Sequence, residues 1–142
     1  MVTERRRERR LRVRLPIRIS FPDNSLICSQ TENISQLGTY VEIEQEVSLG
    51  VKADIILDLP AYSNDLSLIG NVRCSGDVFR CSLLKEVGSK KLYGMGIFFT
   101  DFFEQEDRNK LSKYIDFLIL KEQENIKQAM QRWREKRRNR RG

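Results

Sequence analysis

Leu11-Arg12-Val13-Arg14-Leu15-Pro16-Ile17-Arg18-Ile19-Ser20-Phe21 is the stretch on which the fold turns. Apolar and polar residues alternate across all eleven positions. Successive side chains of a strand point to opposite faces, so a period of two is the signature of a half-buried strand. One face is apolar and belongs to a core. The other carries Arg12, Arg14 and Arg18 and belongs to solvent.

Downstream, the same kind of signal recurs in short pieces. Pro22-Asp23-Asn24-Ser25 is turn chemistry, and Leu26 to Thr31 reads as a second strand. Asn33-Ile34-Ser35-Gln36-Leu37-Gly38 breaks the pattern with a polar turn, where Asn and Ser can bond nearby backbone and Gly38 can take positive φ. Extended structure resumes from Thr39 to Glu44. Ala53, Ile55, Leu57 and Leu59 alternate with Asp54 and Asp58 before Pro60 closes that strand. Residues 61–65 read as loop. Leu66 to Cys74 and Val78 to Leu84 read as a hairpin around Ser75-Gly76-Asp77. Tyr93, Met95, Ile97 and Phe99 form the last strand, with Gly94 and Gly96 marking a bend or a close backbone approach. Six or seven short strands with hairpin-length turns predict a small antiparallel β-barrel, closed or nearly so, in an all-β-dominated fold.

After Thr100 the period changes. Residues 104–137 contain no Gly or Pro, and Leu111, Ile115, Leu118, Ile126, Met130 and Trp133 recur at helical steps. A continuous helix there would run about 50 Å. Its first half, through Leu120, is apolar enough to cover a barrel mouth. Its second half is a solvated extension, a partner helix or a frayed tail. Trp133, between Arg132 and Arg134, is suited to stacking on a base, touching a membrane surface, packing on another helix, or standing in solvent. The apolar line through Leu111 and Trp133 is also a candidate seam for self-association. The organisation expected is an Arg-rich flexible lead-in over 1–10, a barrel over 11–100, a helix over 101–137 and a basic tail over 138–142.

Upstream of the first strand lies Arg5-Arg6-Arg7-Glu8-Arg9-Arg10. Seven arginines fall within the first fourteen residues, for a local charge of +5, and residues 132–142 carry +6. The chain totals +6, so the 117 residues between are net −5. An acidic body with two basic ends points to an anionic partner met by the ends. Arginine's fork of donors suits phosphate and the O6/N7 edge of guanine.

Other classes of function find little support in the residues. No stretch has the roughly 18 apolar residues of a membrane span, and the first twenty residues lack a signal-peptide core, which makes the expectation cytoplasmic. Cys28, Cys74 and Cys81 have no metal-ligand spacing, the chain has no histidine, and buried thiols acting as small hydrophobes are expected. No nucleophile elbow, phosphate-cradling glycine loop or paired carboxylate set is present. The protein is expected not to be an enzyme and to need no cofactor.

The order of these features resembles the PilZ domain, the bacterial receptor family for cyclic dimeric GMP. Arg6-x-x-x-Arg10 followed by Leu11 to Pro16 is similar to the family's first motif and strand opening. Asn33-x-Ser35-x-x-Gly38 is similar to its second motif, and Tyr93 to Phe99 to its closing strand before the helix. The resemblance covers roughly residues 4–120. Arg5-x-x-x-Arg9 and Arg10-x-x-x-Arg14 also match the first spacing. Arg6 and Arg10 are preferred because Arg14 then falls inside the first strand. The resemblance implies a site of Arg5, Arg6, Arg10, Asn33, Ser35 and Gly38, with cyclic dimeric GMP as ligand. Arg5, preceding the first motif arginine, implies an intercalated pair of ligands. Arg7 and Arg9 are left as solvated or as general electrostatic help. Some family members carry a Trp where this chain has Cys74, so stacking on a base must come from elsewhere. Phe103 stands where a Ser or Thr often caps the helix, which leaves Thr100 or Asp101 for that task.

The function implied is a ligand-sensing module that changes conformation and relays the signal to a protein partner. Two other readings remain: a nucleic-acid-binding protein gripping phosphates with both basic ends, and a degenerate relative that binds only protein.

Overall fold

A computed structural model of the chain describes residues 9–59 and 70–141. Arg5 and Arg6 lie outside the described residues, as do the expected loop at 61–65 and the start of the strand expected at Leu66.

Six strands are present among the described residues: β1 (Pro16–Ser20), β2 (Leu26–Ile34), β3 (Gly38–Ile43), β4 (Lys52–Leu59), β5 (Gly70–Val87) and β6 (Lys90–Phe102). They close into a barrel in the order β1-β2-β3-β6-β5-β4, every neighbour antiparallel. One helix, α1 (Gln105–Arg141), follows. Closure joins β1 to β4, although β2 is laddered to β3 only from Thr31 onward and β5 to β4 only through Asp77.

The core follows the alternation. Leu15, Ile17, Ile19, Ile34, Ile55, Leu57, Met95 and Ile97 are buried inside the barrel, and Leu111, Tyr114, Ile115 and Ile119 of α1 join the same cluster. The first half of α1 therefore serves as barrel cover.

Leu11 to Phe21 alternates in burial as its sequence predicts, yet the regular ladder starts only at Pro16. Residues 11–15 are held to β2 by other means. Leu11 and Ile34 exchange backbone hydrogen bonds of 2.9 Å in both directions. Thr31, fully buried, donates its hydroxyl to the Val13 carbonyl at 2.6 Å and accepts the Leu15 N–H at 2.9 Å. A side chain thus replaces one rung of the ladder. Just beyond it, the β2–β3 register slips between Thr31 and Asn33, so that β2 carries one extra residue.

Three local expectations are corrected. Ser75-Gly76-Asp77 is not a hairpin, because β5 runs straight through it to Val87 and the turn lies at Gly88-Ser89, where Gly88 takes φ +62°. Gly76 is there for space: a Cβ would sit 2.6 Å from Ile97 Cγ2 and from the Phe98 carbonyl. The helix is capped by neither Thr100 nor Asp101. Asp107, in the first turn of α1, reaches back to accept the Glu104 N–H at 3.0 Å and also the Arg73 N–H of β5 at 3.1 Å. It therefore caps the helix and ties it to the barrel in one group. Finally, α1 continues past residue 137 to Arg141, since nothing in the sequence breaks it.

The cysteines also divide differently from the expectation of three buried thiols. Cys74 is buried, Cys81 is partly covered and Cys28 is exposed. Burial, helped by the carboxylates of Asp107 and Asp54, pushes the Cys74 thiol up to about 12.

Two outcomes follow from this packing. Thr31→Val removes both of its hydrogen bonds and strands the Leu15 N–H, so urea denaturation should show a loss of about 1–3 kcal/mol with an unchanged m-value. In a thiol-labelling time course on native protein at pH 8, Cys28 should react readily. Cys74, still protonated at that pH and buried, should react only on unfolding.

Candidate functional site

The extra residue in β2 decides where the site lies. Thr31 and Ile34 both face the core although they are three residues apart. The bulge takes up the odd residue and leaves Asn33 on the outer surface, beside the start of β3. Its own carbonyl accepts the Thr39 hydroxyl at 2.7 Å, and its side-chain amide takes no hydrogen bond among the described residues.

Ser35 builds the turn that follows. Its hydroxyl accepts the Leu37 N–H at 3.1 Å and the Gly38 N–H at 3.2 Å, while its own N–H donates to the Gly38 carbonyl at 2.9 Å. The side chain is 5% exposed and its proton is directed to the Gly38 carbonyl at 3.4 Å. Ser35 therefore shapes the turn by bonding nearby backbone, as its residue type in this turn suggested. Gly38 differs from expectation. It does not adopt positive φ; a Cβ would lie 2.1 Å from the Ile97 carbonyl oxygen, so the residue is glycine because β6 passes too close for any side chain.

The Leu11–Ile34 exchange brings the lead-in to this turn. Arg10 is exposed immediately before it, and Arg10, Asn33, Ser35 and Gly38 line one cleft of about 310 Å³. That volume is at the lower end of the roughly 300–1,000 Å³ typical of small-ligand sites. Arg9, one residue earlier, turns the other way and pairs with Glu122 of α1 at 2.8 Å. Arg12 and Arg14 stay in solvent, Arg14 within 3.9 Å of Glu32.

Sequence reasoning missed the aromatic wall. Phe79 of β5 and Phe98 of β6 line the same cleft, their rings 4.2 Å apart between centroids and tilted by 30°. Both are substantially exposed, at 38% and 47%. Flat apolar rings beside an arginine and a turn of backbone amides offer a stacking surface for a planar base. Cys74, at the position where a Trp was considered, points into the core and takes no part. A signal for the pair was present in Gly96. A Cβ there would sit 2.7 Å from Phe79 Cζ, so the outward glycine exists to let that ring lie across the strand.

A larger groove of about 970 Å³ runs over β2 and β3, but it is lined by Glu32, Glu42 and Glu44 against Arg14 alone and would repel an anion. Among the described residues, no group of three or more His, Cys, Asp or Glu could hold a metal ion, and no helix is long and apolar enough to cross a membrane.

Comparison with known proteins agrees with the barrel. No curated protein matches the chain at the level of sequence. Among solved structures, the apo form of MrkH from K. pneumonia superposes with a TM-score of 0.65 at 18% identity, covering 82% of this chain and 52% of that one. The inhibitor of motility MotI/DgrA of Bacillus subtilis gives 0.61 at 18% identity, over 79% of this chain and 50% of that one. This chain thus spans about half the length of either protein. The PilZ domain of YcgR from Escherichia coli, solved with c-di-GMP, gives 0.63 at 15% identity and is matched over 98% of its length and 87% of this chain. The model of the PilZ domain family matches residues 4–117, which takes in most of the lead-in, the whole barrel and α1 as far as Phe117, and the chain belongs to that family.

Proposed function

We propose that the protein is a cytoplasmic receptor for cyclic dimeric GMP that relays occupancy to a protein partner. The observation that carries this reading is the convergence of Arg10, the Asn33–Gly38 turn and the Phe79–Phe98 pair on one cleft. The ligand has two phosphates and two guanines, and the cleft offers groups suited to each. Arg10 provides a charge-assisted fork for phosphate or the guanine O6/N7 edge. The Asn33 amide provides donors and an acceptor. The phenyl pair provides a face for a purine, a role that the buried Cys74 does not fill. Arg6 completes the arginine pair and Arg5 governs whether one ligand or an intercalated pair is held; both assignments rest on the family resemblance. Membership of the family, and a solved relative's PilZ domain with c-di-GMP, support the ligand class. The residues do binding, not bond-making, and the role proposed is that of a receptor without catalysis and without a cofactor.

The relay runs through α1. Arg9 and Arg10 are adjacent, one on Glu122 and the other at the cleft, so a ligand that draws Arg10 inward strains the Arg9–Glu122 pair. The turn is linked to the same helix, Gln36 donating its amide to the Ser112 hydroxyl at 3.4 Å. Differential contact with these two points is the means by which binding shifts the helix or what the helix touches.

Isothermal calorimetry with the dinucleotide tests the reading. Wild-type protein should saturate at one or two ligands per chain. Arg6→Ala and Arg10→Ala should each forfeit about 2–3 kcal/mol, roughly 30- to 150-fold in affinity, which removes a saturable signal at micromolar concentration. Arg138→Ala should leave the isotherm unchanged. An absence of heat with the wild type would sink the proposal and favour a relative that binds only protein. Binding to unrelated nucleic acids with a steep salt dependence would favour the nucleic-acid reading.

A further inference from the structure

Beyond the Glu122–Arg9 pair and the residues beside it, the second half of α1 is not packed against the barrel. Every side chain from 120 to 139 is exposed. Most helical stability in proteins comes from packing of an amphipathic face, so an apolar stripe left in water is a candidate contact surface. The stripe exists. Ile126, Met130 and Trp133 continue the line of Leu111, Ile115 and Ile119, which are buried against the barrel, and they are 52%, 53% and 59% exposed. On one flank of the stripe stand Lys127, Arg134 and Arg138; Arg137 lies with its guanidinium 4.8 Å from the centre of the Trp133 ring. Glu124 and Glu135 fall about 160–180° from Ile126 at 3.6 residues per turn, on the far side of the helix. The third carboxylate of this half, Glu122, lies near the stripe and is paired with Arg9.

An apolar centre, cationic flanks and acids at the back make up the section of a helix that lies flat in the headgroup layer of an anionic bilayer. We propose that residues 121–141 dock in the plane of an anionic lipid surface, seating Ile126, Met130 and Trp133 among the acyl chains and the arginines among the headgroups. Charge selects this occupant. A second copy laid parallel on the stripe would bring one +6 end against another. Three apolar side chains flanked by cations also make a thin apolar centre for an interface of roughly 800 Å² a side. Nucleic acid would satisfy the cations but leave the stripe in water. The inference does not depend on the dinucleotide reading, since the cleft and this face share no residue.

Trp133 is the chain's single tryptophan, so its emission reports on the face directly. The full chain, without dinucleotide, is floated with vesicles of phosphatidylcholine mixed equally with phosphatidylglycerol, and with vesicles of phosphatidylcholine alone. The expected result is flotation with the anionic vesicles only, with a blue shift of the emission. Arg134→Gln and Arg138→Gln should each lower partition roughly fivefold, and Met130→Ser on the order of tenfold. Unshifted emission with anionic vesicles overturns the proposal, as does a Met130→Ser chain that floats as well as the wild type. Concentration-dependent dimers in sedimentation, or a DNA complex, formed with no vesicle binding would assign the face to a second copy or to nucleic acid and overturn it equally.

Discussion

The reciprocal pair of hydrogen bonds between Leu11 and Ile34 is the constraint on which the rest of the site depends. Arg10 is one residue before one end of it, and Asn33 and Ser35 flank the other. Without the pair, the lead-in would be a charged segment whose local concentration at the turn falls with every residue of slack. With it, Arg10 is delivered to the cleft at the cost of ordering a side chain or two. Thr31 performs the same service three residues inward, and the slip in β2 register lets both anchors face the core while Asn33 faces out. The cleft is thus a consequence of how β2 handles one surplus residue.

Much of the barrel was legible from period two, because burial in a closed antiparallel sheet enforces it: Ile17 and Ile19, Ile55 and Leu57, Met95 and Ile97 all face inward. What misled was glycine. Gly76 was read as a turn, although its meaning is three-dimensional, set by Ile97 and Phe98 on a strand some twenty residues away. A glycine read locally offers backbone freedom; a glycine read across strands offers space. Gly38 and Gly96 are of the second kind too, and no local rule separates the two kinds.

The site shows the same division. The family resemblance placed Arg10, Asn33, Ser35 and Gly38 in one group, and all four line the cleft. Their individual tasks could not be read from type. A serine in a polar turn can present its hydroxyl outward or spend it on the backbone, and only the two N–H groups converging on Ser35 Oγ decide for the latter. Phe79 and Phe98 were invisible for a related reason. On paper an outward phenylalanine next to a buried Val78 or Ile97 is one more strand residue. The pairing of β5 with β6 is what stacks the two rings beside Arg10.

Arg9 carries the same lesson into electrostatics. It was set aside as one cation in a solvated run, yet it spans two regions that the sequence treats as unrelated, the basic lead-in and the basic half of α1. Two positive segments drawn together need an acid between them, and Glu122 supplies it near the apolar stripe. Both partners are partly in water, at 37% and 46% exposure, so the pair itself holds little, on the order of 1 kcal/mol or less. A weak link is what the proposed relay requires. In the relay proposed, a ligand reaching Arg10 through charge-assisted bonds has several kcal/mol of differential interaction to draw on, enough to break such a contact without disturbing the barrel. The strong constraints, Leu11–Ile34 and Asp107, hold the cleft and the helix start in place, and the weak one sits where movement has somewhere to go.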